Sequence, residues 1–173
     1  MTDPRVLIIS GSMGAGKTTV MGEASDLLAA RQIVHGAIDL DAIGVVLVPE
    51  PQSTTLHYQN LAAIYDNCRA AGIDRFLMAV AVESQQGLGE LAASLKGATI
   101  TICRLLASEE TMADRLRTRE VGIRQREFLE RSAVLNAILD AASVEHFRID
   151  NDGRDVTSVA EEMLVRAGWI AVR

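Results

Sequence analysis

The chain has 173 residues, which suits one domain with a sizeable core and leaves little room for a second. It is 49% hydrophobic and sets 17 basic against 23 acidic residues, a net charge of −6. That sign argues against nucleic acid as a partner, because proteins bind it largely by neutralising phosphates. No apolar run reaches the roughly 18 residues of a membrane span, and the acidic opening MTDPR does not read as a signal peptide.

These features point to a cytoplasmic protein with no membrane attachment, as monomer or homodimer. The two cysteines, Cys68 and Cys103, have no CxxC partner and are expected as buried, reduced thiols.

In chain order, RVLIIS (5–10) is apolar without alternation, the pattern of a parallel strand buried on both faces. Residues 16–30 follow with near-helical spacing of Val20, Leu27 and Leu28. A second strand is expected at 33–39 and a helix at 54–71, closed by Gly72. RFLMAVAVE (75–83) reads as a third buried strand, 89–96 as a short helix and TITICRLLA (99–107) as a fourth strand. The helix predicted at 108–120 opens on Ser108, with Glu109 and Glu110 in a first turn where the helix dipole favours acids. A long helix (127–142), a fifth strand (144–150) and a last amphipathic helix (156–168) complete the chain.

Strands alternating with helices imply a parallel sheet covered on both faces, here a five-stranded three-layer α/β/α domain spanning 1–173. Two stretches stand out as irregular, about 40–53 and about 120–126, and loops of this kind in compact α/β domains are often functional.

Residues 11–18, G-S-M-G-A-G-K-T, match G-x-x-x-x-G-K-[ST] at every fixed position, after a buried strand and before a helix. Backbone N–H groups that converge on a polyphosphate need side chains absent at the tightest points, and Gly11, Gly14 and Gly16 meet that need. The helix start adds the positive end of its dipole. Ser12, Met13, Ala15 and Thr19 complete the expected nucleotide-binding loop. Lys17, one of only two lysines beside fifteen arginines, supplies a compact charge that can enter a narrow loop and follow the β- and γ-phosphates. Thr18 offers its hydroxyl to a magnesium ion.

The second predicted strand ends in Asp39-Leu40-Asp41, placing two carboxylates at the sheet edge where open α/β sheets bind ligands. One carboxylate suits magnesium held through water, and the other suits the proton of a substrate hydroxyl; a turn capped by Asp is the alternative. Residues 115–131 hold six arginines, of which Arg115 and Arg119 share a helix face at i, i+4. Arg117 and Arg131 read as solvated surface. IDNDGRD (149–155) is a polar loop placed to flank the phosphate loop. No N-K-x-D guanine signature occurs, which favours ATP over GTP.

Together these residues resemble the P-loop small-molecule kinases, the group of shikimate, gluconate, adenylylsulfate and adenylate kinases and the related chloramphenicol phosphotransferase. The resemblance implies a P-loop NTPase fold, ATP and Mg2+ as cofactors, and transfer of phosphate to a hydroxyl of a small molecule. It implies that Arg115 stacks on adenine, that Arg119 reaches the phosphates, and that Arg154 lies at the adenine side. A short lid is expected at about 117–127, hinged near Gly122, and an acceptor site at about 40–60. One departure is clear: the third strand lacks the usual terminal Asp, so that Asp39 or Glu83 takes its place. Two other readings use the same core, a 5′-hydroxyl nucleic-acid kinase and a non-catalytic ATP-binding regulator.

Overall fold

A computed structural model describes residues 3–43, 52–119 and 123–171. Five strands form one sheet: β1 (Arg5–Ser10), β2 (Gly36–Asp39), β3 (Arg75–Ala79), β4 (Thr99–Leu106) and β5 (Phe147–Asp150). Their order is β2-β3-β1-β4-β5, and every neighbouring pair is parallel. The helices are α1 (Lys17–Ala30), α2 (Gln52–Ala70), α3 (Gln85–Ser94), α4 (Glu109–Arg119), α5 (Ile123–Ala142) and α6 (Val156–Arg166).

The central strand explains the three layers. Along β1, Leu7 and Ile9 pack into a core with α1 and α6, while Val6 and Ile8 pack into a second core with α2 and α3. Successive side chains leave a strand on opposite faces, so a strand between two helical layers must be apolar at every position. After β3 the chain crosses to the far side of β1 to place β4, and the reversal of direction opens a crevice beyond the C-terminal end of β1.

The structure corrects several expected boundaries. β3 stops at Ala79 rather than continuing to Glu83, because its neighbour β2 ends opposite it at Asp39. Val80 N–H still donates to Ile9 O and Val82 N–H to Ser10 Oγ, which bends the segment across the end of β1. α3 starts at Gln85, four residues earlier than expected, with Ser84 as its cap accepting from Gly87 N–H; two early glycines had hidden that first turn. β2 and β5 are each three residues shorter at their starts than expected. The lid expected at about 117–127 is mostly helix: 117–119 belong to α4 and 123–127 to α5. The hinge residue Gly122 lies outside the described residues. Cys103 is buried, as expected, and burial pushes its thiol up to about 12, whereas Cys68 is only half-buried.

One buried charge went unread. Arg104 sits in the middle of β4 and is 2% exposed. Its guanidinium donates to Asp140 Oδ1 (2.8 Å) and Asn136 O (3.3 Å) on α5, and Glu145 stands 3.9 Å away. Nε has no hydrogen-bond partner among the described residues. Arg104 therefore fastens α5 to the sheet by charge where α1 and α6 use apolar contact. Asp140 itself is exposed to water, so removing Arg104 forfeits a charge-assisted hydrogen bond and the packing of a fully buried side chain rather than stranding its partner. Arg104→Ala is expected to cost about 2–3 kcal/mol, measured by chemical denaturation.

Candidate functional site

The loop between β1 and α1 wraps the C-terminal end of the central strand. Gly14 (φ 79°) and Gly16 (φ 99°) adopt left-handed conformations that an L side chain resists. Both are also crowded: a Cβ on Gly14 would stand 2.6 Å from Met112 O, and one on Gly16 would stand 2.6 Å from Asn151 Nδ2. The glycines are thus required both by backbone conformation and by what presses on the loop from behind.

A loop that turns its amides toward an anion turns its carbonyls the other way, and buried carbonyls need donors. Four consecutive carbonyls receive them. Lys17 Nζ donates to Ser12 O (3.2 Å), Ser132 Oγ to Met13 O (3.0 Å), and Arg115 Nη1 to Gly14 O (3.3 Å). Ala15 O accepts from Asn151 Nδ2 at 2.7 Å. The donors come from α1, α5, α4 and the loop after β5. Ser12 Oγ in turn donates to Ser132 O at 2.8 Å, so the Ser12 side chain is buried against α5 and supports the loop from behind.

At the start of α1, Thr18 Oγ1 donates to Asp39 Oδ2 at 2.8 Å. Asp39 also caps a 3-10 turn, its Oδ1 accepting from Asp41 N–H at 3.1 Å. The turn-cap reading of the Asp pair is realised in Asp39, which opens the turn with one carboxylate oxygen and faces the Thr18 hydroxyl with the other. Asp41 lines a small cavity of about 80 Å³ together with Lys17, Thr18, Met13 and Phe128. A hydroxyl and a carboxylate form an oxygen donor set that suits magnesium, which takes one or two carboxylates and otherwise keeps water and phosphate oxygens. Among the described residues there is no cluster of three or more His, Cys, Asp or Glu side chains able to hold a metal. An ion here would therefore depend on the nucleotide for its remaining ligands.

A second cavity of about 490 Å³ lies between the loop and α4, lined by Gly14, Gly16, Thr19, Arg115, Leu116 and Thr118 among others. Gly14, Gly16 and Thr19 line both cavities, so the two meet along the loop. Arg115 is fixed in the wall, with Nη2 donating to Asn151 O at 3.0 Å. Asp152, next in the chain, accepts from Ser108 N–H at 3.1 Å, and hydrogen bonds from the Thr111 and Ser108 side chains hold its carboxyl below the ordinary value. Arg154 is engaged elsewhere, by Asp150 O (3.0 Å) and by Glu162 on α6 (2.8 Å). Arg117 pairs with Asp114 one turn away on the surface, as expected. The Arg119 side chain lies outside the described residues.

Three functional contacts had no strong signal in the sequence. Asn151 was hidden inside a loop read for its arginine and backbone. Ser132 sits in mid-helix, where a serine carries no pattern. Arg131, expected to pair with acids along its own helix, reaches Glu83 after β3 instead, at 3.1 Å. Glu83 is thereby committed to Arg131, while Asp39 is the acid found beside Thr18.

The chain thus combines a five-stranded all-parallel sheet of this order with a glycine-rich loop between β1 and α1. Solved structures share the fold over nearly the full length of both chains. The tunicamycin resistance protein of Deinococcus radiodurans superposes with a TM-score of 0.69 at 18% identity, over 96% of this chain and 97% of that one. A gluconokinase from Sinorhizobium meliloti 1021 gives 0.62 at 17% identity, over 97% and 94%. Shikimate kinase from Acinetobacter baumannii, in complex with shikimate, gives 0.60 at 15% identity, over 98% and 96%. No protein-family model matches the sequence, and no curated protein matches it at a significant level. At these identities the likeness establishes the fold.

Two measurements probe the back of the loop. Asn151→Ala leaves Ala15 O, a buried carbonyl, with only the long contact from Arg115 Nη1 at 3.5 Å, at a cost of about 1–3 kcal/mol. Weaker ATP binding by calorimetry is the expected result, with little change in circular dichroism. Asp152 supplies the pH test. Its folded value is depressed, so its contribution is complete above the unfolded value and fades as pH falls through the folded one. The stability difference between the wild type and Asp152→Asn should therefore be full at neutral pH and shrink below about pH 4, followed by thermal melts across pH.

Proposed function

We propose that this protein is an ATP-dependent phosphotransferase that moves the γ-phosphate of Mg-ATP to a hydroxyl of a small molecule. The observation that carries this reading is the arrangement of Lys17, Thr18 and Asp41 around one small cavity, with Asp39 hydrogen-bonded to Thr18. Gluconate and shikimate kinases on the same fold add general support for a hydroxyl acceptor.

In this reading the adenine side of ATP occupies the cavity between the loop and α4, against Arg115. The loop amides and the N-terminal end of α1 receive the phosphates. Lys17 leaves Ser12 O and follows the β- and γ-phosphates as a mobile point charge. Thr18 and Asp39 would hold magnesium, which when bound would offset the negative charge that develops on the phosphates. Asp41 accepts the proton of the acceptor hydroxyl as that oxygen attacks, and Arg119 adds positive charge from the end of α4. The chain contributes mostly position and electrostatics, as phosphoryl transfer requires.

Asp41→Asn separates binding from chemistry. ATP affinity should stay within about twofold while turnover falls about 100-fold or more, the usual contribution of a positioned base. Coupled ADP release over a panel of hydroxyl compounds, beside calorimetry with ATP, makes the measurement. Transfer at the wild-type rate would remove Asp41 from the mechanism.

A further inference from the structure

Beyond β3 a third cavity of about 180 Å³ opens toward α2 and α3. Its floor is apolar, built from Leu40, Val82 and Leu91, and its rim carries His57, Tyr58 and Glu83. Leu40 lies between Asp39 and Asp41, so this cavity adjoins the proposed base.

The charges available to an occupant are unusual for their sign. No lysine or arginine occurs in the sequence between Arg31 and Arg69, or between Arg75 and Lys96. Those two stretches supply every residue that lines the cavity. The acids among the described residues of the same stretches are Asp39, Asp41, Asp66, Glu83 and Glu90. Tyr58 is kept protonated by burial and by the nearby charge of Glu90, so it offers an O–H donor and no anion at neutral pH. Arg131 reaches this region from α5, and its guanidinium is already matched by Glu83 at 3.1 Å. The local balance on the acceptor side is therefore neutral to negative.

Resting on the kinase reading above, we propose that the acceptor is a compact hydroxyl compound that bears no acidic group, either an uncharged polyol or an amino alcohol. A carboxylate or phosphate on the acceptor would enter beside Asp39 and Asp41 with no unpaired fixed cation from the cavity wall, and a desolvated anion without a partner is strongly disfavoured. A hydroxyl or an ammonium group has partners at once. Glu83 accepts from either, and Tyr58 donates to a hydroxyl oxygen. The Glu83–Arg131 pair then acts as the element that sets charge preference, because Glu83 matches the charge of Arg131.

The test is ADP release by the full chain with Mg-ATP, across matched sets of glucose, glucosamine and gluconate and of glycerol, serinol and glycerate, extended to other polyols, amino alcohols and hydroxy acids. Turnover confined to uncharged and amine members, with matched acids at least about tenfold poorer in kcat/KM, is the expected result. That factor corresponds to one hydrogen bond to a charged group. Acids used as well as or better than their matched partners would overturn the inference and leave the kinase reading standing. No response to any compound, while calorimetry shows Mg-ATP binding, would overturn the kinase reading and this inference with it. Glu83→Gln gives an independent arm, since it frees Arg131. The acid-to-neutral ratio of kcat/KM should rise about tenfold in that variant, and an unchanged ratio in a variant with native circular dichroism would remove Glu83 from the selection.

Discussion

The site depends on how the carbonyls of one short loop are satisfied. Four successive carbonyls, Ser12 to Ala15, each receive a side-chain donor, from Lys17, Ser132, Arg115 and Asn151 in turn. A peptide group has a donor at one end and an acceptor at the other, so a loop can aim amides at an anion only if something holds the opposite ends. Here that work is shared among α1, α4, α5 and the loop after β5. The cradle is therefore a product of the whole upper edge of the sheet rather than of its eight residues.

This arrangement gives α5 an importance that its sequence conceals. Arg104 and Asn136 tie its C-terminal half to β4, Ser132 ties its middle to the phosphate loop, and Arg131 ties the neighbouring position to Glu83 on the acceptor side. One helix thus touches the sheet, the glycine-rich loop and the segment after β3. Phe128, closer to its start, lines the cavity of Lys17 and Asp41. A small shift of α5 would be felt in all of these places together, since packed interiors transmit displacement rather than absorb it.

The charge distribution divides the molecule in the same way. The cavity between the loop and α4 is lined by Arg115, whereas the cavity beyond β3 is lined by neutral side chains and Glu83. With a net charge of −6, the protein does not attract polyanions by its overall field. Affinity for a polyphosphate must come from the local cradle, where amides, a helix end and Lys17 are gathered within one turn.

The sequence alone determined the layered α/β fold, because strands buried on both faces must be apolar throughout and helices between them keep a different period. It also marked out the glycine-rich loop, since glycine and lysine at that spacing after a buried strand have a specific geometric use. Asp39 and Asp41 were legible as a pair at a strand end, though not which of them faces Thr18. Tertiary structure alone decided the rest. Asn151, Ser132 and Arg104 act across more than thirty positions of sequence, to Ala15, Met13 and Asp140, and no local pattern records a partner so distant. Arg131 illustrates the same limit: acids on its own helix were the natural partners by spacing, and the fold brought Glu83 closer. Periodicity and propensity are local quantities, whereas the pairing of buried polar groups is settled only when the sheet order brings their elements together.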